Sequence, residues 1–135
     1  MNWVSYHNGL AHLMTASSSF AGAETREQLD YAARRNYEAS PAVVSRGMLA
    51  MFRWDATPVL PEVRVPTLIV EGEQDTTTTP AASSYMRKVM PSAELQTVKR
   101  AAHLGLLEQN RIYNEAIRRF ADSCFDGLRG SINAM

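Results

Sequence analysis

The sequence is short of most features that announce a function at once. It has one cysteine, Cys124, so no internal disulfide can form and no second thiol stands ready for a redox pair or a thiolate metal site. A reducing, cytoplasmic setting is the expectation that follows. Net charge is also lacking: fourteen Lys and Arg offset fourteen Asp and Glu, scattered rather than blocked, which leaves no basic face for nucleic acid and no polybasic anchor for a membrane. No apolar run approaches the roughly 20 residues that span a bilayer. The start, MNWVSYHNGL, lacks the basic, apolar and small-residue blocks of a secretory signal. Neither nucleic acid nor membrane is therefore expected as a partner. At 135 residues the chain has the length of one ordinary domain, or of part of one.

What is present changes character midway. Residues 1–57 read as helical, 58–66 as a linker marked by Pro58, Pro61 and Pro66, 67–125 as alternating strand and helix, and 126–135 as a tail. Thr25 with Gln28 forms a capping box that opens a helix running to about Glu38, and Ser40-Pro41 opens another. That second helix carries Val43, Val44, Met48, Met51 and Phe52 on one stripe, which predicts core packing, with a substrate-lining face as the alternative. TLIV, from Thr67, suits a strand covered on both faces. Thr79-Pro80 then opens a helix to about Met90, and AELQTVK, from Ala93, reads as a second strand with Leu95 and Val98 inward. Ile112, Ala116, Ile117, Phe120 and Cys124 share one face of a last helix from about Arg111 to Phe125. Strand, helix, strand, helix in that order predicts a parallel unit.

Two residues then stand out. Asp75 follows the first strand and His103 follows the second, with enough chain between them for one crossover helix. Neighbouring parallel strands end on the same side, so both side chains arrive at one sheet edge, where open α/β folds place their sites. There an aspartate fixes the imidazole tautomer while the histidine moves a proton. Other readings are weaker. Glu71, Glu73 and Asp75 alternate along the strand and with His103 suggest a metal, but strand-end carboxylates are usually solvated and no His or Cys spacing supports one. His7 and His12 stand roughly 140° apart around a helix, so they share no face. The threonines Thr76 to Thr79 read as loop material that satisfies free backbone groups.

From VPTLIVEGEQD, through the helix at Pro80, to MPSAELQTVKRAAHLGLLEQ and the final amphipathic helix, the chain resembles the C-terminal portion of an α/β-hydrolase. The resemblance implies that Asp75 is the triad acid and His103 its histidine, that the helices before Pro58 end a cap, and that no cofactor is needed. In RAAH, Ala101 and Ala102 stand where many members carry glycine, and a positive φ at either would be strained. The family's serine sits on a Gly-x-Ser-x-Gly elbow ahead of the acid, and no such motif occurs in the sequence. Ser17, Ser18, Ser19, Ser83 and Ser84 lie in or beside helices, and Cys124, on an apolar stripe, reads as a small core residue, so none has the strained, exposed setting of an elbow. Two functions remain open. One is the C-terminal half of a hydrolase for a small ester, amide or lactone-like substrate, partnered by the missing N-terminal half or by self-association. The other is a non-catalytic truncated or split-gene product acting as a binding or assembly module.

Overall fold

A computed structural model describes residues 3–133; residues 1, 2, 134 and 135, at the ends of the expected cap-like segment and tail, lie outside the described residues. Four helices come first: α1 (Trp3–His7), α2 (Leu10–Ser19), α3 (Arg26–Glu38) and α4 (Pro41–Arg53). A 3-10 turn, Thr57–Glu62, carries the chain through the proline-rich passage. Strand β1 (Thr67–Gly72), helix α5 (Pro80–Val89), strand β2 (Ala93–Val98), the short α6 (Gly105–Glu108) and the long α7 (Asn110–Asn133) complete it.

The local causes are those that the residues supply. Thr25 caps α3 reciprocally: its hydroxyl accepts the Gln28 N–H at 3.2 Å, and the Gln28 side chain accepts the Thr25 N–H at 2.8 Å. Pro41 and Pro80 each occupy the first turn of their helix, where a missing N–H leaves nothing unmatched. The two strands pair in parallel, Thr67 opposite Ala93 through Gly72 opposite Val98, with α5 as the crossover.

Burial is thinner than the patterns predict. The buried apolar residues are mostly alanines, with Phe20, Met90 and Val98 the larger members. In β1 only Glu71 and Gly72 are buried, and Thr67 to Val70 are half-covered, so the two-sided cover expected of TLIV is not formed by the described residues. The stripe on α4 departs furthest from expectation. The helix buries none of its residues, and Val43, Val44, Met48, Met51 and Phe52 are all exposed, so core packing is not their role here. The last helix runs past Phe125 to Asn133. On its stripe Ala116 is buried while Ile112 and Ile117 are exposed, and Cys124 is half-buried rather than core.

Candidate active site

Asp75 and His103 meet. The turn after β1 brings the Asp75 carboxylate back over the end of the sheet, and its Oδ2 lies 3.1 Å from His103 Nδ1. Asp75 is 7% exposed, so the expectation of solvated strand-end carboxylates does not hold for it. What compensates its burial is the threonine run. Oδ1 accepts the N–H groups of Thr77 at 2.7 Å and Thr78 at 2.9 Å, and Oδ2 accepts the Thr78 hydroxyl at 2.7 Å. Burial pushes the carboxyl pKa up, but the Thr78 hydroxyl, the His103 ring and the two amides together outweigh it and hold the group below its ordinary value. Facing an ionised acceptor, His103 presents Nδ1–H to Asp75 and leaves Nε2 with a free lone pair.

The loop carrying His103 is brought in by a glycine. A Cβ on Gly72 would stand 2.5 Å from the carbonyl oxygen of Ala101 and 2.6 Å from that of Ala102, so only glycine lets the two backbones come this close. The Gln74 N–H donates to the Ala101 carbonyl at 2.9 Å, which stitches the two post-strand loops together. The positive φ of this turn falls on Arg100, at 54°, and neither Ala101 nor Ala102 carries it. Their small side chains are buried, which is how alanine serves here.

His103 borders a cavity of about 270 Å³ whose walls include Ser19, Tyr31, Arg35, Asn36 and Leu107. Ser19 shares that cavity, but its hydroxyl is bonded to that of Ser18 at 3.2 Å and not to the imidazole. A larger cavity of about 840 Å³ lies among Tyr6, His12, Asp30 and Arg34. It holds a second histidine–carboxylate pair, His12 Nε2 to Asp30 Oδ1 at 2.9 Å, with the Tyr6 hydroxyl donating to the same oxygen at 2.7 Å. That pair differs physically from the first: the Asp30 side chain is 52% exposed and sits on a helix flank, without the buried, amide-held setting of Asp75.

Glu71 faces its register neighbour, and the Thr97 hydroxyl donates to its Oε1 at 2.7 Å. It is buried, so for this carboxylate too the expectation of solvation fails. Among the described residues no three His, Cys, Asp or Glu side chains gather as a metal would require. Thr77, Thr78 and Gly72 hold the Asp75–His103 pair in place, a part that the sequence alone does not assign them. The signal for the threonines was available, since an Asp followed two and three residues on by hydroxyl residues marks a side-chain-to-backbone turn.

No family model matches the chain. Among curated proteins, it is 34% identical over 73 residues to the polyketide synthase ThaQ of Burkholderia thailandensis, a stretch covering 54% of this chain and 4% of that protein. It is 26% identical over 91 residues to the pimeloyl-[acyl-carrier protein] methyl ester esterase of Neisseria meningitidis, covering 67% of this chain and 29% of that one. Among solved structures, a bromoperoxidase from Bacillus anthracis superposes with a TM-score of 0.74 at 22% identity, over 88% of this chain and 46% of that chain. An α/β fold family hydrolase from Bacillus anthracis str. Sterne superposes at 0.64 and 18% identity, over 87% and 46%. The chain thus spans less than half the length of each of these proteins.

Proposed function

The chain belongs to the α/β-hydrolase family, and from that premise we propose that it supplies the acid and the histidine of a hydrolase for a small ester, amide or lactone-like substrate. The nucleophile and the oxyanion donors come from a partner segment that carries the Gly-x-Ser-x-Gly elbow. One observation carries the reading: a buried, ionised Asp75 holds His103 at 3.1 Å, with both residues at the C-terminal ends of adjacent parallel strands.

The chemistry follows from the tautomer. His103 Nε2 takes the proton of the incoming serine hydroxyl as that oxygen attacks the substrate carbonyl carbon. The imidazolium so formed keeps its Nδ1–H on the Asp75 carboxylate, which stabilises the charge without taking the proton. The Nε2 proton then passes to the leaving group as its bond to the carbonyl carbon breaks; in deacylation His103 takes a proton from water as the water attacks the acyl carbon, and returns it to the serine oxygen as the acyl–oxygen bond breaks. Backbone donors aimed at the developing oxyanion account for about a hundredfold to a thousandfold each. Without them and the serine, this chain has no route to useful turnover.

The test is complementation with a nucleophile-bearing α/β-hydrolase half. The chain by itself is expected to hydrolyse p-nitrophenyl acetate no faster than its His103→Ala variant and to take no fluorophosphonate label. With the added half, both activities should appear, with the label on the added serine and with turnover lost in His103→Ala. Stoichiometric labelling of a serine within residues 1–135 would overturn the reading. A chain that binds the added half but never restores turnover would support the non-catalytic assembly role instead.

A further inference from the structure

The acid end of the Asp75–His103 pair is held by a strand and two threonines, but the histidine end rides on a loop. What fixes that loop from the other side is Glu108, in α6. Its Oε1 accepts the N–H of Ala21 at 2.6 Å and that of Ala23 at 3.2 Å, while its Oε2 accepts the N–H of Ala102 at 3.2 Å. One carboxylate therefore joins two pieces of chain far apart in sequence: the arm between α2 and α3, and the residue immediately before His103.

The arm is shaped for this. Gly22 has φ of 87°, and with it the flanking amides of Ala21 and Ala23 converge on a single oxygen, as successive backbone N–H groups do in an anion-binding nest. Two further bonds run in parallel. The Leu104 N–H donates to the Ser19 carbonyl at 2.8 Å, and the Gln28 side chain donates to the Leu107 carbonyl at 2.6 Å. Both backbone neighbours of His103 are thus tethered, Ala102 through Glu108 to the α2–α3 arm and Leu104 directly to the last residue of α2.

We infer that Glu108 is a positioning residue, which locks the His103 loop to the α2–α3 arm and so makes the orientation of the imidazole over Asp75 depend on where those helices sit. Its purpose rests on the hydrolase reading, whereas its geometry does not. An arm displaced from Glu108 withdraws the restraint on Ala102, and the imidazole turns away from Asp75. The same clamp makes the cavity that His103 shares with Tyr31 and Arg35 of α3 a single unit with the catalytic pair.

The test uses nuclear magnetic resonance on the full chain and needs no catalysis. Two quantities are read: hydrogen exchange at the amides of Ala21, Ala23 and Ala102, and the ring-nitrogen shifts of His103 at alkaline pH, which report how much of the neutral imidazole carries its proton on Nδ1. Asp75→Asn gives the reference for an unlatched ring. Glu108→Ala is expected to speed exchange at the three amides by about tenfold or more, as loss of a charge-assisted acceptor implies, and to move the His103 ring toward the reference. Glu108→Gln, which keeps an acceptor oxygen, should fall between wild type and Glu108→Ala. The β1–β2 ladder amides should exchange as in wild type. An unchanged ring and unchanged Ala102 exchange in Glu108→Ala would overturn the inference. If that variant also loses the ladder, Gly22→Ala decides, because it strains the nest without touching Glu108 or the pair: faster Ala102 exchange and a shifted ring with an intact ladder support the clamp, and no change overturns it. A ring found latched by Glu108 in a chain that never complements to an active hydrolase would count against the function and leave the clamp standing.

Discussion

A carboxylate taken out of water either finds donors or takes up a proton, and Asp75 has found four. Its carboxyl is held below its ordinary value in the folded chain and returns to that value when unfolded. The folded state therefore binds that proton less readily than the unfolded state does. The stabilisation is fully present above the unfolded value and is lost as pH falls through the folded one. We expect the gap in urea midpoint between wild type and Asp75→Asn to shrink as pH falls below about pH 4; a gap unchanged at pH 3 would count against it. Gly72→Ala is the second residue-scale prediction. Its new Cβ would meet backbone carbonyls at 2.5 and 2.6 Å, and backbone has no rotamer by which to yield. A loss of about 1–3 kcal/mol or more is expected from urea unfolding, and His103 should leave Asp75. Wild-type stability for Gly72→Ala would show that the two loops separate freely. That Asp75 and His103 come together was legible in the sequence because each follows a strand by a few residues. Gly72 and Glu108 were not, since what they do depends on how closely two loops approach, and no local pattern encodes that distance.

At the scale of elements, local signals fared well and burial did not. The capping box at Thr25, the prolines opening α4 and α5, and the bounds of β1 and β2 within a residue or so all follow from neighbouring side chains. The stripe on α4 shows the limit of such reasoning. Periodicity tells which residues share a face, whereas what covers that face lies elsewhere in space. Val43, Met51 and Phe52 are 66%, 60% and 76% exposed, so in this chain by itself they contribute little to stability. Phe52→Lys is accordingly expected to change the urea midpoint by no more than about 0.5 kcal/mol equivalent. In the complemented hydrolase the same change should weaken assembly or raise KM. A loss of several kcal/mol in the chain alone would mean that α4 packs in solution against something that leaves it exposed here.

The whole molecule exposes more surface than its mass accounts for. A compact folded monomer of this mass exposes about 7,000 Å², and this chain exposes 9797 Å². The excess, roughly 2,800 Å² on one chain, is at least as large as the share each partner buries in an obligate interface and well above crystal-contact size. It has identifiable sources: the bare stripe of α4, the exposed Ile112, Ile117 and Phe125 of α7, and a cavity of about 500 Å³ between β1 and α7 lined by Leu68, Val70 and Phe120. The sheet adds another, because among the described residues β1 pairs only with β2, leaving one edge of each strand without a ladder partner. Unpaired edges recruit other strands, and two strands with a thin alanine core have little burial to set against the entropy of ordering. The expected outcome is that the full chain, followed by analytical ultracentrifugation and urea unfolding, either self-associates or unfolds with a broad, weakly cooperative transition as it is diluted. Adding the nucleophile-bearing half should give a one-to-one complex that unfolds sharply, with β1 amides newly protected from exchange. A dilute monomer that unfolds sharply without any partner would show that this surface needs no cover. The excess area would then be a property of the chain itself.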